Sequence, residues 1–285
     1  MPLRKCLHGV TGGLVLFMCH MCHVCDSDAG EIWEIMPFDE HPGRPARDAR
    51  PGPRAGSGAQ MSARITGMVV QTGVVSADPV MRRQLIGSVD RVAPRLLGAR
   101  LISCAAPGRV VLRIVEVEAY GGTGEDPGSH AFRRQTPRNA SMFGPAGHAY
   151  IYFTYGMHWC FNVVVGPVGS ASAVLVRAGY VVDGQEVARA RRPSAASDLD
   201  LARGPARLTK ALGIEGDLDG VDLFDPESHL QLHLLGRPWA VAQVTARTGV
   251  AGAGAATPWR FAADHPSVSP YRAAQPRRRE GQPGG

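Results

Sequence analysis

The apolar run from Val110 ends in Glu116-Val117-Glu118-Ala119-Tyr120, two carboxylates and a phenol at every second position. Side chains alternate along a strand, so these three share one face. Two readings are open: a solvent-facing stripe on an edge strand, or a carboxylate held beside an aromatic wall. Downstream, His130 follows a Gly/Asp/Pro loop, and Phe132 to Asn139 offers three guanidiniums, Arg133, Arg134 and Arg138, with hydrogen-bonding side chains between them. Such a segment suits phosphate oxygens, although any one arginine there is equally at home as a solvated surface charge. The stretch Tyr150 to Asn162 crowds aromatics on both sides of Gly156. Tyr150 and Tyr152 alternate in phase and line one face, with Ile151 and Phe153 on the other. Tyr155, beside the turn glycine, projects into solvent, where an aromatic ring gains nothing unless it meets a ligand.

These residues need a sheet to hold them. Ala99 to Ala105 and Val110 to Tyr120 read as paired strands around Ala106-Pro107-Gly108, and Ala149 to Tyr155 and Met157 to Val165 as a second pair around Gly156. Ser172 to Tyr180 supplies a further strand. Asp78-Pro79 opens one or two amphipathic helices over 79 to 97, with Pro94 at their junction. Helical signals return at Gly184 to Arg192 and Pro205 to Leu212, and Val221 to Val250 reads as strand-rich. The sum is a single α+β domain dominated by antiparallel strands, without internal repeats or a parallel strand-helix rhythm.

The chain has 285 residues, 44% of them hydrophobic and 20% charged, with a net charge of +6. That describes a globular protein, and no apolar run is long enough to cross a bilayer. The first 75 residues carry equal numbers of basic and acidic side chains, so the whole positive excess falls in residues 76 to 285 and favours a polyanionic partner. Lys5 and Lys210 are the only lysines, which leaves two side-chain candidates for any Schiff-base chemistry. Residues 1 to 75 form a low-complexity leader, with a linker over 41 to 60; the preferred reading is an unstructured segment ahead of a start at Met61 or Met68. Arg4, Lys5 and Val10 to Met18 imitate a secretory signal, but no small-residue cleavage site follows, so export is not expected. Cys6, Cys19, Cys22 and Cys25, interleaved with His20 and His23, have zinc-like spacings but no second ligand pair. Cys104 and Cys160 read as ordinary buried thiols of a reducing cytoplasm. Residues 276 to 285 read as a disordered basic tail.

With these segments in view, the sequence resembles the 3-methyladenine (alkyladenine) DNA glycosylase family over roughly Asp78 to Arg272. The resemblance rests on Ile114 to Tyr120, on Arg134-Gln135-Thr136-Pro137-Arg138-Asn139 with Met142-Phe143, on Tyr150 to Asn162, and on Val174-Leu175-Val176-Arg177-Ala178. Weaker echoes are Gly204 to Ile214 and Pro258-Trp259-Arg260-Phe261. It implies a curved antiparallel sheet or open barrel flanked by helices, like the C-terminal domain of methionyl-tRNA formyltransferase, over residues 76 to 275. It further implies that Glu118 is the general base activating a water, and that Tyr120, His130 and Tyr152 stack on a flipped base. Asn162 would crowd the exocyclic amino group of normal guanine, and Arg177 would support the water or Glu118. Tyr155 would fill the gap left in the duplex, with Arg134, Thr136, Arg138, Asn139, Met157 and Lys210 on the DNA. Against the family's usual form, the loop Gly121 to Ser129 is about a residue longer, His158 stands where an aromatic is frequent, and Thr154 replaces a more apolar neighbour of Tyr155.

The residue types fit that chemistry. An alkylated purine such as 3-methyladenine carries positive charge, leaves readily and stacks well against electron-rich rings. One carboxylate near the anomeric carbon then suffices, half of the paired-carboxylate logic of sugar hydrolases. The implied protein is a monomeric cytoplasmic enzyme that needs no cofactor or metal, acts on double-stranded DNA containing damaged purines, and leaves an abasic site. Two rival readings are a damaged-DNA binder without catalysis, which has no need of Glu118, and a zinc hydrolase, which lacks an HExxH motif.

Overall fold

The computed structural model describes residues 78–271. The leader with its Cys/His cluster, the linker and the basic tail lie outside the described residues. The helical segment expected over 79 to 97 divides into α1 (Asp78–Gln84), α2 (Val89–Val92) and a 3-10 turn, Ala93–Leu96, that contains Pro94. Gly87, at a φ of 145°, separates α1 from α2. No helix of the described residues is long and apolar enough to cross a membrane.

Eight strands follow: β1 (Arg100–Ser103), β2 (Val110–Tyr120), β3 (Ala149–Thr154), β4 (His158–Val165), β5 (Ser172–Asp183), β6 (Leu230–His233), β7 (Gln243–Thr245) and β8 (Arg260–Ala262). They form one open antiparallel sheet in the order β3-β4-β5-β2-β1-β6, with β8 attached to β2 and β7 to β8. Helices α3 (Gln185–Arg191) and α4 (Pro205–Leu212) come between β5 and β6. The fold class is therefore mixed α and β, as expected. Strand content over Val221 to Val250 is a correction: only β6 and β7 form there. Between them Leu234 is buried and Trp239 lies near the ring of Tyr180, while Ala240 to Ala242 are exposed. Arg260–Ala262, not expected as a strand, supplies β8.

Alternation sorts the sheet into two faces. Ile114, Val117 and Ala119 of β2, Ile151 of β3, Phe161 and Val163 of β4, and Val174 and Val176 of β5 enter the main core with Leu96, Leu97 and Leu208 from the helical segments. Each of the Val, Leu, Ile and Phe side chains among them contributes roughly 1.5–3 kcal/mol by leaving water. Their sequence neighbours Tyr120, Tyr150, Tyr152, Val164 and Ala173 belong to a second, smaller apolar cluster with Met142 and Ala131. The second face thus carries the polar and aromatic residues singled out above.

Candidate active site

The solvent-exposed edge stripe is excluded at Glu116 and Glu118. At these residues β2 is paired on one side with β5 and on the other with β8, and both glutamates are fully buried. Pairing of β2 with β5 is irregular here: Val115 and then Arg177 each stand as an extra residue between successive pairs. Such bulges re-aim side chains, and Arg177 reaches both carboxylates. Its Nε donates to Glu116 Oε1 at 2.9 Å, and its Nη1 lies 3.3 Å from Glu118 Oε2.

The two glutamates are held differently. Glu116 Oε1 also accepts from Arg260 Nε at 2.7 Å and Ser269 Oγ at 2.8 Å, while the Ser269 N–H donates to Oε2 at 2.7 Å. Burial pushes its pKa up, but Arg177, Ser269 and Arg260 together outweigh burial and hold it below the usual carboxylate value. Glu118 accepts from Tyr120 Oη at 2.9 Å through Oε2 and from the Thr248 N–H at 2.7 Å through Oε1. Burial, then the Glu118 charge, raise the Tyr120 pKa well above normal, so the phenol stays protonated and donates. Arg177 would lose its proton more readily through burial alone; the two carboxylates reverse that and raise its pKa.

Above Glu118 opens a cavity of about 440 Å³, within the roughly 300–1,000 Å³ of small-molecule sites. Tyr120, His130, Tyr150 and Tyr152 wall it, Arg177, Asn162, Cys160 and Thr248 are among its polar lining, and Pro205 and Ala206 of α4 close one side. Glu118 itself does not line the cavity; it lies directly behind Tyr120, Arg177 and Thr248, which do. The aromatic wall is mutually braced. His130 and Tyr152 meet edge to face at 4.5 Å, Tyr150 and Tyr152 lie 5.3 Å apart, and His130 Nδ1 is 3.0 Å from Tyr150 Oη. Desolvation, with the charge of Arg138 second, lowers the His130 pKa and favours its neutral form. Burial raises the Cys160 thiol. Asn162 is buried, its amide nitrogen donating to the Tyr150 carbonyl at 2.9 Å.

At the mouth, β3 turns into β4 through Tyr155 and Gly156, both at positive φ (52° and 64°), with the Met157 N–H on the Thr154 carbonyl. Thr154 pairs with His158, so the loop is the three residues Tyr155 to Met157, and the left-handed backbone at its first position is one that Gly or Asn adopts most readily. A tyrosine there costs roughly 1 kcal/mol. Tyr155 is nevertheless 85% exposed and Met157 67% exposed. Arg134 and Lys210 are exposed, and Arg138 Nη2 caps the Phe153 carbonyl at 2.7 Å. Thr136 is half-buried. Asn139, expected on the DNA, is instead buried: its amide donates to the carbonyls of His130 and Arg134 and accepts from the Thr136 N–H, so it knits the loop together.

Sequence reasoning missed a second buried pair. Asp126 and Arg247 meet at 2.7 Å between Oδ1 and Nη2, and Asp126 also accepts from the N–H groups of Gly121 and Gly128. Arg247 bonds the Ala119 carbonyl, lies 4.7 Å from the Tyr120 ring centroid and abuts Gly128, where any Cβ would stand 2.6 Å from Nη2. The pair locks the Gly121–Ser129 loop to the segment that begins at Thr248. The two residues are 121 positions apart, and nothing in their local sequence announces the contact. Thr248 and Glu116 were likewise not expected in the site; the acidic residue inside an apolar strand was the available signal for Glu116.

A profile of the methylpurine-DNA glycosylase family matches residues 84–267. Among curated proteins, the chain is 52% identical over 204 residues to one from Streptomyces avermitilis named "Putative 3-methyladenine DNA glycosylase", covering 70% of this chain and 95% of the relative. Proteins of the same name from Leifsonia xyli and Nocardia farcinica are 50% and 51% identical, over 71% and 66% of this chain and 97% and 90% of their own lengths.

Proposed function

The chain belongs to the methylpurine-DNA glycosylase family, and on that premise we propose that it excises damaged purines from duplex DNA, 3-methyladenine, hypoxanthine and ethenoadenine being the candidate bases, by hydrolysis driven from Glu118. The observation that carries this reading lies just beneath the cavity: a carboxylate touching three cavity-lining groups, Tyr120, Arg177 and Thr248, below a wall of aromatic rings. A flipped purine stacks against Tyr120, His130 and Tyr152, and extrusion is cheapest for a damaged or mispaired base. Water oxygen bonds to C1′ of the deoxyribose as the C1′–N bond breaks, the bonding pair leaves with the base, and the proton of the water passes to Glu118. A cationic base departs neutral; a neutral one needs a proton, supplied by solvent. Arg177 steadies the carboxylate and the incoming water, and Asn162 crowds the amino group of guanine.

Glu118 has no open surface, so water meets it only when one of its three partners gives way. Thr248 is the partner on a loop, between the sheet and glycines 249 and 252 at φ 78° and 74°. The product is an abasic site without strand cleavage, a reading supported by Lys210, the only lysine among the described residues, standing outside the cavity lining. Exposed Tyr155 enters the duplex, and the arginines of the 133–138 segment hold phosphates, so affinity falls steeply with salt. Duplexes carrying each lesion, incubated with the protein and then treated with alkali, test the reading: wild type generates cleavable sites and Glu118→Gln binds the duplex without releasing base. Normal excision by that variant would overturn it.

A further inference from the structure

Arg177 faces two carboxylates with one guanidinium. Left alone in a buried site, a guanidinium and a carboxylate close into a two-pronged fork with both donors engaged. Here the Nε edge of Arg177 is already taken by Glu116 at 2.9 Å, and its contact with Glu118 is a single, longer approach of 3.3 Å from Nη1. Glu116 is itself immobilised by Arg260 and by both donors of Ser269. None of Glu116, Arg260 and Ser269 lines the cavity.

We propose that Glu116 is a positioning residue for base excision, engaging the Nε edge of Arg177 so that the guanidinium neither forks onto Glu118 nor withdraws from the cavity. The inference rests on the assignment of Glu118 above. A carboxylate gripped by a full fork has its lone pairs occupied and is a poorer acceptor for the proton of a water. A guanidinium turned fully onto it also stops lining the cavity where the water must sit. Glu116 thereby preserves the reactivity of a group it does not touch, and Arg260 with Ser269 forms the anchor against which it works.

Single-turnover excision and lesion-duplex affinity, measured on Glu116→Gln, Arg177→Gln and the double variant, test this. Glu116→Gln is expected to bind lesion duplex within about threefold of wild type and to excise about tenfold or more slowly. Because Glu116 acts through Arg177, the double variant is expected to be no slower than Arg177→Gln alone. Glu116→Asp, which restores the charge, recovers part of the rate. Should Glu116→Gln fold poorly, Arg260→Gln leaves Glu116 held by Arg177 and Ser269 and is expected to show the same split at smaller amplitude. A wild-type rate in Glu116→Gln, or in Arg260→Gln where that variant serves, overturns the proposal, as does a rate loss undiminished on the Arg177→Gln background. Retained excision by Glu118→Gln in the same assay would instead overturn the underlying reading.

Discussion

The floor and the mouth of the cavity are built on opposite terms. Beneath the floor, Glu116, Glu118 and Arg177 are almost wholly buried and every carboxylate oxygen has a donor. At the mouth, Tyr155 and Met157 stand in solvent on a three-residue loop, and the tyrosine occupies a backbone conformation it disfavours. Charge buried among unpaired neighbours is destabilising, so the floor tolerates its ions only as a completed network. An exposed ring contributes nothing to folding, so the mouth keeps one only for what it meets. On the function proposed above, reactivity belongs to the packed network and contact with DNA to the exposed loop.

Variants can break or sharpen this contrast. The largest effect is expected for Glu118→Gln, a loss of about 10²–10⁴-fold in single-turnover excision, with affinity for lesion duplex largely unchanged in a binding titration. Next comes Asp126→Asn, which leaves buried Arg247 facing a neutral amide and is expected to cost about 3 kcal/mol by urea unfolding at pH 7. Burial pushes the Asp126 pKa up, but Arg247 and the N–H groups of Gly121 and Gly128 hold it below normal. Its contribution is therefore present above the unfolded-state value near 3.9 and lost as pH falls through the folded value beneath it. The gap between wild type and variant should accordingly narrow in urea titrations below about pH 4. Tyr155→Asn should split the two properties: affinity for lesion duplex falls about tenfold, while the thermal midpoint rises or holds, because asparagine accepts the turn conformation. Arg134→Ala is the mildest. It should weaken all duplexes alike and reduce the slope of log K against log salt by about 0.9, leaving the excision rate of bound substrate untouched.

The sheet-borne half of the candidate site was legible in the sequence because strand periodicity alone puts Glu116, Glu118 and Tyr120 on one side of β2, and Tyr150 with Tyr152 on one side of β3. The exposed position of Tyr155 followed equally from its place beside a turn glycine. What escaped was everything contributed by contacts between distant loops. Arg247, Thr248 and Asp126 sit in segments with no period, and only the folded chain reveals that one loop lies across another. The burial of Asn139 was missed for a related reason. A polar side chain in a basic loop reads as a surface group, and its consumption by neighbouring carbonyls depends on a local winding that composition does not encode. The expected strands between Val221 and Val250 failed because apolar content is compatible with packing as well as with pairing.

The anchoring of Glu116 by Ser269, 153 residues further along the chain, bears on how the molecule is born. During synthesis the strand carrying both glutamates emerges early, while Thr248, Arg260 and Ser269 are still unmade. Until that last stretch leaves the ribosome, two acidic groups in an otherwise oily strand have no proper company. Truncation ahead of Arg260 would leave the Glu116 carboxylate without Arg260 and both donors of Ser269, and the fold less stable for it.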